Sequence, residues 1–301
     1  MKKIMNMTQK NNLSPWQLAL KRLKKNKLSL FGGSVLILIL LFTFIGPYFS
    51  PHKMNEINVV MRYKPPSLAH PFGTDMLGHD MMTRIMLGGQ ISIAIAFISA
   101  IVTLIFGTLI GAISGYYGKW VDQLLMRFTE FVHILPLLPM IIAFSVVFAF
   151  RYSDFTRMVV TMIIFGFLSF PTLARLIRGE FLTLKELEFV KAAELLGISK
   201  RSQIFKHILP NVIGVIIASS TSIIANAILL ELTLSFVGMG FQPPTPTWGN
   251  LIPNIRGDNL VTSGSYWMWF YPVSFISLTI ISINLLGEGL RDALDPKGEG
   301  K

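Results

Sequence analysis

Cysteine is absent from the 301 residues, which excludes a disulfide framework and thiolate chemistry. Charge is scarce: Asp, Glu, Lys and Arg make up 14% of the chain against about 25% in globular domains, while 52% is hydrophobic and mean hydropathy is +0.57. That balance excludes a soluble domain and makes this a membrane chain whose helices are buried in lipid and in each other. Acidic residues are the scarcer sign, 16 against 27 Lys and Arg, giving +11. In a membrane chain the excess points to basic segments facing anionic lipid and not to nucleic acid. No Gly-x-x-x-x-Gly-Lys-Ser/Thr phosphate loop occurs, so any ATP must be hydrolysed by another chain. Ionisable groups inside apolar stretches are few. Glu231 alone lies deep, with Glu130 and His133 at an edge. That inventory excludes the catalytic cluster of a membrane-embedded enzyme and is thin for proton or sodium coupling.

What is present is a set of long uncharged runs. A spanning helix needs about 20 mostly apolar residues. Six segments qualify: Leu28 to Phe49, Ile91 to Ser114, Phe131 to Phe150, Met158 to Ala174, the stretch after Pro210 to about Val237, and Trp267 to Gly287. The first comes after a basic start, but it is too long for a signal-peptide core and ends at Gly46-Pro47-Tyr48, so it reads as a retained helix. Pro136, Pro139 and Pro171 remove backbone donors inside the third and fourth segments and predict kinked, cavity-lining helices. Gly107, Gly111 and Gly115 recur every fourth residue, a small-x-x-x-small face that predicts close helix packing, with a hinge as the alternative. Trp267 and Trp269 read as interfacial anchors.

Lys and Arg concentrate on cytoplasmic sides. Here 20 of the 27 fall before the first segment, in the loops after the second and fourth, and in the tail. Both termini are therefore expected in the cytoplasm of a multi-pass chain. The expected organisation is a basic N-terminal segment 1–27, a first transmembrane helix 28–49, an extracytoplasmic segment 50–87, a membrane domain 88–287 carrying a cytoplasmic loop 178–210, and a tail 288–301.

That loop is patterned. Thr183-Leu184-Lys185-Glu186 has the form of a capping box, Gly197 stands where a left-handed residue would end a helix, and Ser199 is placed to cap a second helical run to Leu209. Ala192 and Ala193, small and adjacent near the bend, would let another surface come close. By patterning alone the two helices could instead lie on the lipid surface.

Phe189-Val-Lys-Ala-Ala-Glu-Leu-Leu-Gly197, and after it His207-Ile-Leu-Pro210, resembles the cytoplasmic motif of binding-protein-dependent ABC importer permeases. Further motifs agree and extend the likeness over nearly the whole chain. They are His70-Pro-Phe-Gly-Thr-Asp75 with Gly78, Asp80 and Arg84; Gly115-Tyr-Tyr-Gly118 with Asp122 and Arg127; Leu234-Ser-Phe-Val-Gly238 with Trp248; and Asn284-Leu-Leu-Gly287 with Leu290 to Pro296. The resemblance points to the C-type permease of the oligopeptide and dipeptide branch. It departs from the pattern at Lys191, where the wider motif has Glu, and at His79, where the branch has Arg.

The resemblance implies an all-α polytopic fold with six transmembrane helices of the type-I ABC importer kind, in a prokaryotic cell membrane. It implies a non-enzymatic permease that forms half of a translocation path. Partners would be a homologous second permease, two P-loop ATPases that use ATP and Mg, and an extracytoplasmic peptide-binding protein, with no cofactor in this chain. An alternative within the same architecture is import of nickel, metal chelates or another small solute. The ATPase-coupling residues would be Lys191, Ala192, Ala193, Glu194, Gly197, Leu209 and Pro210. Glu231 either lines the outer translocation path, pairs across the permease interface, or is a carboxylate hydrogen-bonded to neighbouring helices. His70, Asp75, His79 and Asp80 match no zinc spacing, and no metal is expected there.

Overall fold

The computed structural model describes residues 15–149, 151–252 and 264–294. The basic residues Lys2, Lys3 and Lys10, and Pro296, Lys297 and Lys301 of the tail, lie outside them. Among the described residues regular structure is helical, apart from one isolated bridge between Thr74 and Asp80. In chain order the helices are α1 (Pro15–Leu23), α2 (Lys27–Phe44), α3 (Met81–Tyr117), α4 (Lys119–Ile134), α5 (Leu137–Ala149), α6 (Asp154–Leu184), α7 (Glu188–Leu195), α8 (Lys200–Phe236) and α9 (Trp267–Leu294). Five of them, α2, α3, α6, α8 and α9, are long and apolar enough to cross a membrane, and α4 with α5 makes a sixth span if the bent pair is counted as one.

Several boundaries differ from the hydropathy reading because charge-free length marks lipid exposure, whereas a helix stops where its backbone is capped. α3 begins ten residues before Ile91, where the Asp80 carboxylate accepts from Thr83 N–H as N-cap. α6 begins behind the N-cap Ser153 and continues past Arg175 to Leu184. The third segment is broken: Pro136 holds Leu135 in an extended conformation, and α4 and α5 meet at 76°. Pro210 stands in the first turn of the regular α-helical part of α8, Leu209–Phe236. The stretch before it, Gln203–Ile208, is π-helical, and Leu209 N–H reaches Ile204 O, five residues back. A π-helical stretch adjusts the ladder locally next to a proline that has no N–H to give.

α3 and α6 form the most extensive pairing of the bundle. Its basis is the glycine face: a Cβ on Gly107 would stand 2.8 Å from Leu173 Cβ, on Gly111 2.8 Å from Ile177 Cβ, and on Gly115 2.6 Å from Phe181 Cβ. The four-residue spacing of the glycines matches that of the residues they receive, so the face is used for packing. Near one end of the pair, Ala112, Leu173, Ile177, Phe181, Val190, Ile204 and Ile208 make one core cluster. A larger cluster toward the other end joins Met81, Ile85, Met158, Met162, Ile228, Leu234 and Trp248. α9 packs on α2 and α8. Trp267 is no interfacial anchor: it is buried, and its Nε1 donates to Thr74 O at 3.1 Å, whereas Trp269 remains exposed.

Candidate functional site

The segment 185–209 is built onto one end of the bundle. α6 ends at Leu184, and Thr183 belongs to its last turn, where its hydroxyl donates to Gly179 O at 3.1 Å. The capping box expected from Thr183 and Glu186 therefore does not form; α7 starts at Glu188 behind Leu187, which offers no side-chain cap. The helical propensity of α6 carries it beyond the membrane run and takes Thr183 with it.

α7 does end at Gly197, with φ of +72°. Ile198 N–H bonds to Ala193 O at 3.1 Å and Gly197 N–H to Glu194 O at 3.0 Å, the paired bonds that close a helix through a left-handed residue. Ser199 caps the start of α8, accepting from Ser202 N–H at 3.4 Å. Val190 (3% exposed) and Ala193 (4%) face inward, while Leu195 (89%) and Leu196 (80%) stand in the open with Lys191, Ala192 and Glu194. The alanines are thus not equivalent: Ala192 is outward, Ala193 is part of the chain's own core. Lys191 Nζ pairs with Glu186 at 3.1 Å, two exposed groups on the same surface. Leu209 is half-buried and Pro210 exposed, both within α8.

Two polar links hold this element to the bundle and a third braces the end of α6 that leads into it, and none was visible in the sequence. Tyr116 Oη, at the end of α3, donates to Gln203 Oε1 at 2.7 Å, and Gln203 Nε2 donates to Ile198 O at 2.7 Å. Arg178 of α6 grips Asp122 of α4 with Nε and Nη2 at 2.6 Å each, a bidentate geometry, and Ser114 Oγ also donates to Asp122. Lys185 Nζ donates to Gly115 O at 3.2 Å. The partners are 87, 56 and 70 residues apart in sequence, beyond the reach of any periodicity argument.

A cleft of about 720 Å³ opens between α4, α5, α6 and α8. Leu135, Leu137 and Pro171 line it, so the proline-marked segments do border a cavity. Its polar lining is neutral hydroxyl and amide, from Ser169, Thr172, Ser219, Ser222 and Asn226, with His133 as the ionisable group among the lining residues.

Glu231 does not face this cleft. It is 1% exposed, its Oε2 accepting from Ser92 Oγ at 3.2 Å and its Oε1 from Ser235 Oγ at 2.9 Å. Ser92 Oγ in turn accepts Trp248 N–H at 3.1 Å, and Trp248 Nε1 donates to Ile85 O at 2.9 Å. Among the alternatives, this is the geometry of a carboxylate hydrogen-bonded to neighbouring helices. It ties α8, α3 and the segment before α9 at one point.

Residues 107–299 match the model of the binding-protein-dependent transport system inner membrane component. The chain belongs to that family. Residues 14–66 match a second model, the N-terminal TM domain of oligopeptide transport permease C. The oligopeptide transport system permease protein of Bacillus subtilis is 37% identical over 96% of this chain and 92% of its own length. The dipeptide transport system permease protein of the same bacterium is 37% identical over 95% of this chain and 87% of its own. An oligopeptide transport system permease protein of Haemophilus influenzae is 36% identical over 94% and 89%. As a member of the binding-protein-dependent permease family the chain is a multi-pass transport component of the membrane and not an enzyme. The family model covers the glycine face, the cleft lining apart from Thr103, and the whole 185–209 element, so the geometry above belongs to the matched transport component.

Proposed function

We propose that the chain is the permease half of an ATP-driven importer of oligopeptides or dipeptides, with the 185–209 element as the docking and coupling surface for a P-loop ATPase. The observation that carries this reading is the exposed apolar surface of α7 and its cap, Leu187, Phe189, Leu195 and Leu196 around Ala192, presented by an element whose other face is buried and hydrogen-bonded. An apolar patch with a rigid support is what a docked subunit needs, whereas helices resting on lipid need no bracing from Gln203 or Lys185. The basic bias of this side puts it, with both termini, in the cytoplasm.

The cleft is half of the translocation path, completed by a homologous second permease, and a binding protein delivers cargo at the opposite end. Neutral hydroxyls and amides can hydrogen-bond peptide backbones whatever their side chains, which suits the oligopeptide and dipeptide systems the relatives are named for. ATP and Mg act in the two partner ATPases, whose closure moves the element and, through it, α6 and α8 between inward and outward access.

The deciding experiment is purification of the chain from its native membrane in mild detergent, identification of accompanying chains, and mass spectrometry of molecules released from any binding protein. A second permease, P-loop ATPases and bound peptides are expected. Released nickel or metal chelate would replace the cargo reading, and recovery of the chain alone after cross-linking at the element would overturn the docking reading.

A further inference from the structure

At the end of the bundle remote from the 185–209 element, the chain between α2 and α3 folds back on the first turn of α3. His52, His70 and Asp80 meet there, each offering one ligand atom, all within 4.8 Å of one another. His70 and Asp80 are buried and His52 half-buried; the two imidazoles stack with centroids 4.5 Å apart. We propose that these three residues form a binding site for a divalent cation of the zinc class, which clamps the connector to the start of α3.

Two of the three residues, His52 and Asp80, carry the support found around metal ligands. A ligating imidazole is held by a hydrogen bond from its other nitrogen, and a ligating carboxylate is itself hydrogen-bonded. His52 Nε2 lies 3.0 Å from Ala69 O, which can only accept, so Nε2 carries the proton and the Nδ1 lone pair is free for a cation. Asp80 Oδ2 is committed to Thr83 N–H at 2.8 Å and Thr83 Oγ1 at 2.7 Å, which leaves Oδ1 directed at His70. Thr83 Oγ1 also meets Ser50 Oγ at 2.6 Å, and Ser50 Oγ accepts His52 N–H at 3.2 Å, so the backbone of one ligand is tied to the support of another.

His70 Nδ1 and Asp80 Oδ1 are 2.9 Å apart. Zinc–nitrogen and zinc–oxygen bonds of about 2.0–2.1 Å span about 3.3 Å at a tetrahedral angle, so a cation takes the proton's place with a shift of a few tenths of an ångström. His52, on the irregular stretch between the short 3₁₀ helices Gly46–Phe49 and Val59–Met61, closes the remaining gap. Two imidazoles and one carboxylate suit zinc among common divalent ions, and hard cations such as Mg or Ca would find too few oxygens. The electrostatics agree: among the described residues the ion-pair partner of Asp80 is His70, and neither lysine nor arginine is paired with it. The neighbouring Asp75 is held separately, by His79 Nδ1 at 2.7 Å and Arg84 at 3.7 Å.

Along the chain, His70, Asp75, His79 and Asp80 have no zinc spacing and gave no reason to expect a metal. The trio formed in space drops Asp75 and His79 and recruits His52 from across a turn.

The test uses the full-length chain with its co-purifying subunits, stripped with EDTA, loaded with ZnCl₂, desalted and assayed for zinc by mass spectrometry. Wild type is expected to retain one zinc per chain more than His52→Ala or His70→Ala, with zinc affinity weakened by more than about tenfold in each variant. Zinc should also raise the thermal unfolding temperature of the wild type and leave that of His52→Ala unchanged. His52 is a half-exposed connector residue, so its variant folds and decides the matter even if His70→Ala does not. Equal zinc in wild type and His52→Ala, or no zinc retained at micromolar concentration, would overturn the proposal.

Discussion

The phenol of Tyr116 donates to the side-chain oxygen of Gln203 at 2.7 Å, joining the last turn of α3 to the π-helical start of α8. Gln203 passes the constraint to Ile198 O, immediately after the glycine that ends α7. The outward surface of α7 is thereby referred to α3, a 37-residue helix of the bundle. Tyr116→Phe removes the donor and leaves the buried Gln203 oxygen unpaired, at a cost of about 1–3 kcal/mol. Amide exchange at residues 198–209 should accelerate while the α3 core keeps its protection. Unchanged exchange there would mean that the link constrains nothing.

The two alanines of the motif should separate in their effects. Ala192→Glu adds an exposed charge to the proposed docking surface and should detach ATPase subunits in co-purification, with membrane insertion and thermal stability unchanged. Ala193→Glu instead places a carboxylate among Val190 and its neighbours and should lower stability by several kcal/mol, read as poor yield of folded chain. Similar co-purification from Ala192→Glu and wild type would count against docking at this face.

Arg178 and Asp122 connect α6 to α4 where the chain enters the 185–209 element. Arg178→Ala should cost about 1–2 kcal/mol, discounted because the guanidinium is partly exposed. A charge exchange, Asp122→Arg with Arg178→Asp, should recover part of that loss. If the double variant is as unstable as the sum of the singles, measured by thermal unfolding in detergent, the pair is not coupled.

Two glycines on the facing helices should respond in opposite ways to added volume. Gly115→Val pushes into Phe181 and should destabilise the α3–α6 pair by about 1–3 kcal/mol or more. A Cβ on Gly179 meets nothing within 4 Å, and Gly179→Ala should stabilise α6 by up to about 1 kcal/mol through helix propensity. Comparable thermal stability in the two variants would remove the packing account of the glycine face.

Glu231→Gln keeps the volume but replaces one of the two oxygens that accept from Ser92 and Ser235 with an amide group that cannot accept. Thermal stability should fall by about 1–3 kcal/mol, with cargo selectivity as in the wild type. A change of selectivity at normal stability would restore a path role for this carboxylate.

How far the sequence reaches is seen residue by residue. Hydropathy placed the spans, because lipid demands long uncharged runs of any chain that crosses it. The glycine period predicted a close helix contact on α3, though not that α6 would make it, and the left-handed stop at Gly197 was legible because few other residues adopt it without strain. These properties are local, set by composition or by three or four neighbouring residues. The capping box at Thr183 misled for the same reason: its pattern is local, and α6 overran it. What only the tertiary structure decided are the long-range pairings. Ala193 turns inward while Ala192 stays out, Tyr116 finds Gln203, Glu231 is enclosed by serines, and His52 meets His70 and Asp80. Each depends on which helix faces come together, and that is set by the packing of the whole bundle, of which no single segment carries a record.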